Sequence, residues 1–256
     1  MASSPTVRLA VVSNRKPIAP ALNPEDPLSA PGLLVSYFYL DRFELYHRGK
    51  YQYRDWVMDS GAFSAFSIGA KIDLVDYIRV CRERRQRDKT LTEIYSLDVI
   101  GDHKASLKNT ERMWKAGVEA IPCYHWGEPW DALLGMARDY PKIALGGVAL
   151  RATKPKRELA LKCLQAIWPK KVHGFGYGQE QQILNVPFHS TDATTWESRP
   201  CRYGAWSSFD GAFVNVRGSN QNLKGEVGYY LKLEARARAR WHKEMEELEC
   251  SPVPAA

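Results

Sequence analysis

Residues 143–177 read IALGGVALRATKPKRELALKCLQAIWPKKVHGFGY, and this stretch decides the fold. It opens on an apolar run, Ile143–Leu150, and closes on a second, Lys171–Tyr177. Between them Leu159, Cys163, Leu164 and Ile167 fall on one face at helical spacing. The flanking runs are continuously apolar and do not alternate, as strands buried on both faces of a parallel sheet require. The stretch therefore reads as strand, helix, strand.

The same unit repeats outward in both directions. Further runs lie at Leu33–Leu40, Val57–Phe63, Ile94–Val99 and Ala120–Trp126 before it, and at Pro187–Asp192 and Gly204–Phe209 after it. Helical stripes separate them: Leu74, Ile78 and Cys81; Leu107, Met113 and Trp114; Leu133, Leu134, Met136 and Ala137; then a short helix over Glu180–Leu184. Alternation repeated eight times predicts an α/β chain folded as a (β/α)8 TIM barrel, and 256 residues match the roughly 250 that one such domain takes. Residues 1–32 read as an N-terminal extension, with a short strand near Arg8–Ser13 and a Pro-rich loop. The barrel is expected over 33–250, with a disordered tail over 251–256.

Composition narrows the partners. A net charge of +7 favours a polyanion, because Lys and Arg that neutralise phosphates release counterions, although charge alone does not decide it. The five cysteines are scattered without CxxC spacing, which argues for reduced thiols in a cytoplasmic protein over a disulfide framework or a zinc cluster. No run of about 18 apolar residues offers a membrane span, and Leu9–Val12 is too short for a signal peptide before Asn14, Arg15 and Lys16. No GxxxxGK[ST] and no strand-to-helix GxGxxG is present, so no nucleotide cofactor is expected. The long helical segment Glu226–Glu249 carries Lys232, Arg236, Arg238 and Arg240, either as a solvated face closing the barrel or as a phosphate-contacting series.

In a barrel the C-terminal strand ends form the active-site face. Polar residues interrupt the apolar runs at those ends: Asp59-Ser60-Gly61, Asp98, His125, Gly146-Gly147, His173, and His189 to Asp192. Each alone has an ordinary explanation, since an Asp after a strand most often caps a helix or forms a turn. Their joint placement at successive strand ends is what points to one pocket. Paired carboxylates there suit chemistry at an anomeric carbon, one as nucleophile and one as acid/base. Glycines admit a planar ring close to backbone amides, and Phe63 can stack on it.

In this order, Asp-Ser-Gly-Ala-Phe-Ser (59–64), Leu-Asp-Val (97–99), Leu-Gly-Gly-Val-Ala (145–149), His-Gly-Phe-Gly (173–176) and Ser-Thr-Asp (190–192) resemble the tRNA-guanine transglycosylase superfamily. The nearest likeness is to its compact phage- and bacteria-borne branch, the DNA 7-deazaguanine transglycosylases, over about residues 33–215. The resemblance implies that guanine in DNA is exchanged for a free 7-deazaguanine base such as preQ0, in the bacterial cytoplasm. It implies Asp192 as nucleophile and Asp59 as general acid/base. Asp98 would accept from the ring and exocyclic nitrogens, and Gly147, beside Gly146, would donate its N–H to the base carbonyl. Ser60 would help bind the base, with Phe63 on one of its faces and His173 on the other. The zinc site of the tRNA-modifying relatives is missing, so no metal is expected. Their base-binding Gln is replaced within Tyr124-His125-Trp126, which gives His125 the polar role. Duplex DNA would have to flip the target nucleotide out, with Arg151, Lys154, Lys156, Arg157, Arg199 and Arg202 as candidates for the backbone. The rival readings are a tRNA-guanine transglycosylase, a barrel nucleosidase or glycoside hydrolase, and a non-catalytic nucleic-acid-binding protein.

Overall fold

A computed structural model describes residues 5–11, 30–46, 48–49, 52–148, 152–196, 205–207, 213–215 and 219–250. Eight parallel strands form one sheet: β1 (Thr6–Val11), β2 (Gly32–Ser36), β3 (Asp55–Asp59), β4 (Leu91–Ile94), β5 (Cys123–His125), β6 (Lys142–Gly146), β7 (Lys171–Gly174) and β8 (Ser190–Ala193). Their spatial order is β4-β3-β2-β1-β8-β7-β6-β5. The sheet curls through 245° around an axis and stays open, a TIM-barrel-like α/β architecture. One parallel bridge, Tyr95 to Ile121, ties the chain after β4 to the chain before β5. There Ile121 N–H donates to the Ile94 carbonyl and Ser96 N–H to the Ile121 carbonyl, both at 2.9 Å.

Helices ring the sheet: α1 (Leu40–Tyr46), α2 (Ala62–Ser67), α3 (Leu74–Arg87), α4 (His103–Lys115), α5 (Trp130–Asp139), α6 (Thr153–Ile167), α7 (Glu180–Asn185), α8 (Ser219–Arg240) and α9 (His242–Cys250). The stripes do what their spacing requires. Cys81, Met113, Leu133 and Cys163 are wholly or almost wholly buried against the outer face of the sheet. Two aspartates start helices: Asp73 accepts from Asp76 N–H at 2.8 Å, and Asp102 from Ala105 N–H at 3.0 Å.

Two sequence expectations are corrected. The segment taken for an extension is the central strand of the sheet, hydrogen-bonded to β2 on one side and β8 on the other, so the barrel begins at Thr6. Its pattern was obscured by Arg8, which turns inward and pairs with Asp55. The run Gly204–Phe209 is no barrel strand: Ala205–Ser207 (β9) pairs antiparallel with Phe213–Asn215 (β10) outside the main sheet. The loop after residue 11 and the tail from 251 lie outside the described residues.

The interior is divided by polarity. Toward the strand N-termini, buried Lys142 donates to both Glu93 oxygens (2.7 and 2.9 Å) and to Ser190 Oγ (3.0 Å). Burial alone would lift the Glu93 carboxyl, but Lys142 and then Arg8 hold it well below the usual range. Above this floor an apolar layer packs Ala10, Leu34, Val57, Tyr95, Cys123 and Ala144. The cavity opens above that layer.

The segment α8–α9 closes the ring beside β1. Leu233 and Ala237 are fully buried. Glu234 accepts from Val7 N–H at 2.7 Å and from Arg54 at 3.0 Å. Arg238 pairs with Glu234, and Arg236 pairs with Glu180 at 3.0 Å. Both arginines are thus engaged with carboxylates of the protein, Arg238 with a buried one, which favours the packing role of this helix over phosphate contact.

Candidate active site

A cavity of about 1480 Å³ sits at the C-terminal ends of β3 to β8. It exceeds the roughly 300–1,000 Å³ usual for small-molecule pockets, so a free base would not fill it. Asp59, Asp98 and Asp192 all line it, with Ser60, Phe63, His125, Gly146 and Gly147. Residues far apart in the chain are thus brought to one site.

None of the three aspartates caps a helix. Asp59 ends β3, and its Oδ2 accepts from Gly61 N–H at 3.0 Å, closing a tight turn. Gly61 is required there: its φ is +75°, and a Cβ would lie 2.3 Å from Ser36 Oγ and 2.6 Å from Phe38 Cβ. Burial pushes the Asp59 carboxyl up to about 7, with the Gly61 N–H opposing and the charges of Asp98 and Asp192 adding to the rise. After β4 the cap of α4 is Asp102, which leaves Asp98 free for the cavity. In β8, Asp192 Oδ1 accepts from Gly176 N–H at 2.9 Å, across from the loop after β7.

On the β4–β5 side, His125 lies between two carboxylates. Its Nε2 is 3.1 Å from Asp98 Oδ2 and its Nδ1 is 2.9 Å from Glu128 Oε1. The Cys123 sulfur and the hydrogen bonds to Asp98 and Glu128 raise the imidazole well above the ordinary histidine range, against the burial that opposes its charge. Burial pushes the Cys123 thiol up to about 11, so the sulfur is uncharged at neutral pH and the carboxylates keep the ring cationic there. Asp98 is lifted by burial and pulled back by His125. Its Oδ1, like Glu128 Oε2, is buried with no hydrogen-bond partner among the described residues. These unpartnered acceptors stand on the Nε2 and the Nδ1 side of His125, where N–H donors of a ligand would satisfy them.

Asp98, Cys123 and His125 also offer oxygen, sulfur and nitrogen atoms within 4.8 Å of one another, the donor set that could hold a metal ion. A metal would have to displace the Nε2 proton, because a doubly protonated ring has no lone pair to give.

His173 needs correction. It is fully buried and does not face the cavity. Strand residues point inward at every second position, so His173 lies one layer deeper than Phe175. Phe175 lines the cavity and covers His173 edge-on, with ring centroids 4.6 Å apart. Beneath it His173 Nδ1 is 2.8 Å from Ser190 Oγ, and Nε2 is 3.7 Å from Asp192 Oδ1. Burial lowers the His173 pKa. Its Nε2 faces Asp192 without a hydrogen bond, and Phe175 lies between the imidazole and the cavity.

Phe63 stands at the mouth, 59% exposed, beside exposed Phe66 and Ile68. Gly147 has φ +72°, and a Cβ there would come 2.9 Å from Trp126 N, so the tight approach of this loop depends on glycine. Among the basic candidates, Lys156 lines the cavity. Lys154 points to solvent, 3.8 Å from Glu158. Arg151, Arg199 and Arg202 lie outside the described residues. Sequence reasoning missed Glu128, Gln179, Thr194, Thr195, Tyr229 and Tyr230, which also line the cavity. Glu128 could have been found as the acid three residues past His125. The tyrosines arrive on α8 with no local signal.

No protein-family model and no curated protein matches the chain. Among solved structures it is similar to tryptophan synthase subunit alpha from Campylobacter jejuni, at 12% identity and a TM-score of 0.46, over 86% of this chain and 94% of that one.

Proposed function

We propose that the chain is a base-exchange glycosyltransferase that replaces guanine in DNA with a 7-deazaguanine such as preQ0, through a covalent link between Asp192 and the sugar. One observation carries the reading: a carboxyl group titrating near neutrality, Asp59, shares a cavity with a carboxylate fixed by a backbone N–H, Asp192. That pairing is what double displacement at an anomeric carbon needs. The order of the motifs around both residues, like that of the transglycosylases, supports it.

In the first step an Asp192 oxygen attacks C1′ and the C1′–N9 bond breaks, while Asp59 gives its proton to the departing guanine. In the second, the incoming base passes its N9 proton to Asp59, N9 bonds to C1′, and the Asp192–C1′ bond breaks. A group with a pKa near 7 serves both transfers, since it neither holds nor sheds its proton too strongly. The orphan oxygens of Asp98 and Glu128 suit the N–H groups on the guanine edge. Gly147, which lines the cavity, would give its N–H to the ring carbonyl, and Phe63 and Phe175 offer apolar faces. The size of the cavity suits a flipped nucleotide better than a base alone.

Incubation with labelled guanine and either duplex DNA or tRNA tests the reading. Label retained in DNA supports it. Label retained only in tRNA makes the substrate tRNA. Free base released from DNA with no label taken up makes the enzyme a hydrolase.

A further inference from the structure

We infer that the first turn of α6 is an anion subsite, in which Lys156 holds a phosphate of the nucleotide whose base and sugar occupy the cavity. The site would thus take phosphorylated nucleosides or polynucleotides and discriminate against free nucleosides. The placing of base and sugar rests on the transglycosylase reading; the anion subsite itself rests on the following geometry.

Lys156 is 6% exposed, yet its side chain lines the cavity together with Asp192 and Gly176. Among the described residues no carboxylate, hydroxyl or carbonyl holds its ammonium, although Asp192 is near enough for its charge to be felt. The Lys156 stem is buried while its ammonium reaches the cavity, where water hydrates it and an anion brought by a ligand would take the place of that water. Lys142 is the contrast in the same molecule: its ammonium is enclosed in the floor and carries Glu93 and Ser190. Asp192 does not play that part for Lys156: its charge is felt there, but no ion pair joins the two side chains, and its Oδ1 accepts from Gly176 N–H. A cation that lines the cavity and is held by no described protein group is placed for an anion that arrives with the ligand.

The backbone around it fits the same anion. Ala152 gives α6 no side-chain cap, and no acidic residue stands in the first turn. The 15-residue helix therefore presents the positive end of its dipole and the N–H groups of Thr153 and Lys154, Pro155 having none, close to Lys156. Thr153 Oγ1 donates to Gln179 Oε1 at 2.8 Å, and Gln179 lines the cavity, so the helix start is fastened to the cavity wall.

Calorimetric titration of the full chain with deoxyguanosine and with its 5′- and 3′-monophosphates tests the subsite. One charge-assisted contact predicts that one of the monophosphates binds at least roughly tenfold tighter than the nucleoside. Lys156→Met should erase that preference, so that monophosphate and nucleoside bind alike, whereas Lys156→Arg should keep part of it. Thermal melting of both variants establishes that they are folded, and if Met does not fold, the Arg variant and competition of inorganic phosphate with the monophosphate on the unaltered chain decide instead. Equal affinities for nucleoside and monophosphates, no binding of any of them at millimolar concentration, or a preference that survives Lys156→Met overturns the subsite. A phosphate preference without base exchange would leave the subsite standing and remove the transglycosylase reading; exchange without a phosphate preference would do the reverse.

Discussion

Asp59→Asn tests the acid/base assignment through stability as well as rate. The folded chain holds this carboxyl at about 7, up from its ordinary 3.8, chiefly because burial disfavours the anion. Between those values the folded state binds a proton that the unfolded state has released, so stability falls as pH rises through the window and the full loss is reached above it. The rise corresponds to a ceiling of about 4 kcal/mol. Solvent reaching Asp59 from the open cavity screens the charge and brings the effect to about 2–3 kcal/mol. Asparagine cannot ionise and still offers an oxygen to Gly61 N–H. Urea unfolding at about pH 3, below both values, should therefore give equal stabilities for the two proteins. At about pH 8 the variant should be more stable by about 2–3 kcal/mol, while exchange falls roughly 10²- to 10⁴-fold. A stability gap that does not change with pH, or a variant less stable at pH 8, would refute the reasoning.

Three other outcomes follow from the same geometry. Glu93→Gln leaves buried Lys142 without its counter-charge and should lower stability by about 3–5 kcal/mol at neutral pH, as read by chemical denaturation. Because Glu93 is held below the usual carboxylate range, that gap should persist above the ordinary glutamate pKa and shrink as the solution is acidified below it. Gly147→Ala forces a methyl group against Trp126 N at a φ of +72° and should lower the melting temperature by the equivalent of about 1–3 kcal/mol while raising the KM for the incoming base. Binding of duplex DNA should weaken steeply and linearly on a logarithmic salt scale, measured by fluorescence anisotropy; a flat response would mean that no phosphate is neutralised.

Much of the sheet was legible because its strands are apolar on both faces, and the βαβ unit around residues 143–177 is the plainest case. The first strand was misplaced because Arg8 breaks its apolar run, and charges inside a barrel are invisible to a rule that equates buried with apolar. Residues 204–209 matched a strand in composition, and nothing local told a short antiparallel pair from an eighth barrel strand. The carboxylates were legible through their common position at strand ends, where Asp102, and not Asp98, turned out to do the capping. His173 was misread because motif order gives the strand but not the depth of a side chain along it. The contributions of Tyr229 and Tyr230 depend on how α8 docks, a long-range matter that no local pattern encodes.

The most direct test is mass spectrometry of the chain after reaction with a guanine-containing oligonucleotide and rapid denaturation. The account predicts a covalent deoxyribosyl-DNA adduct on the peptide carrying Asp192, removed by Asp192→Ala and discharged by adding a 7-deazaguanine base. An adduct on another residue, or base exchange at full rate by Asp192→Ala, would contradict it.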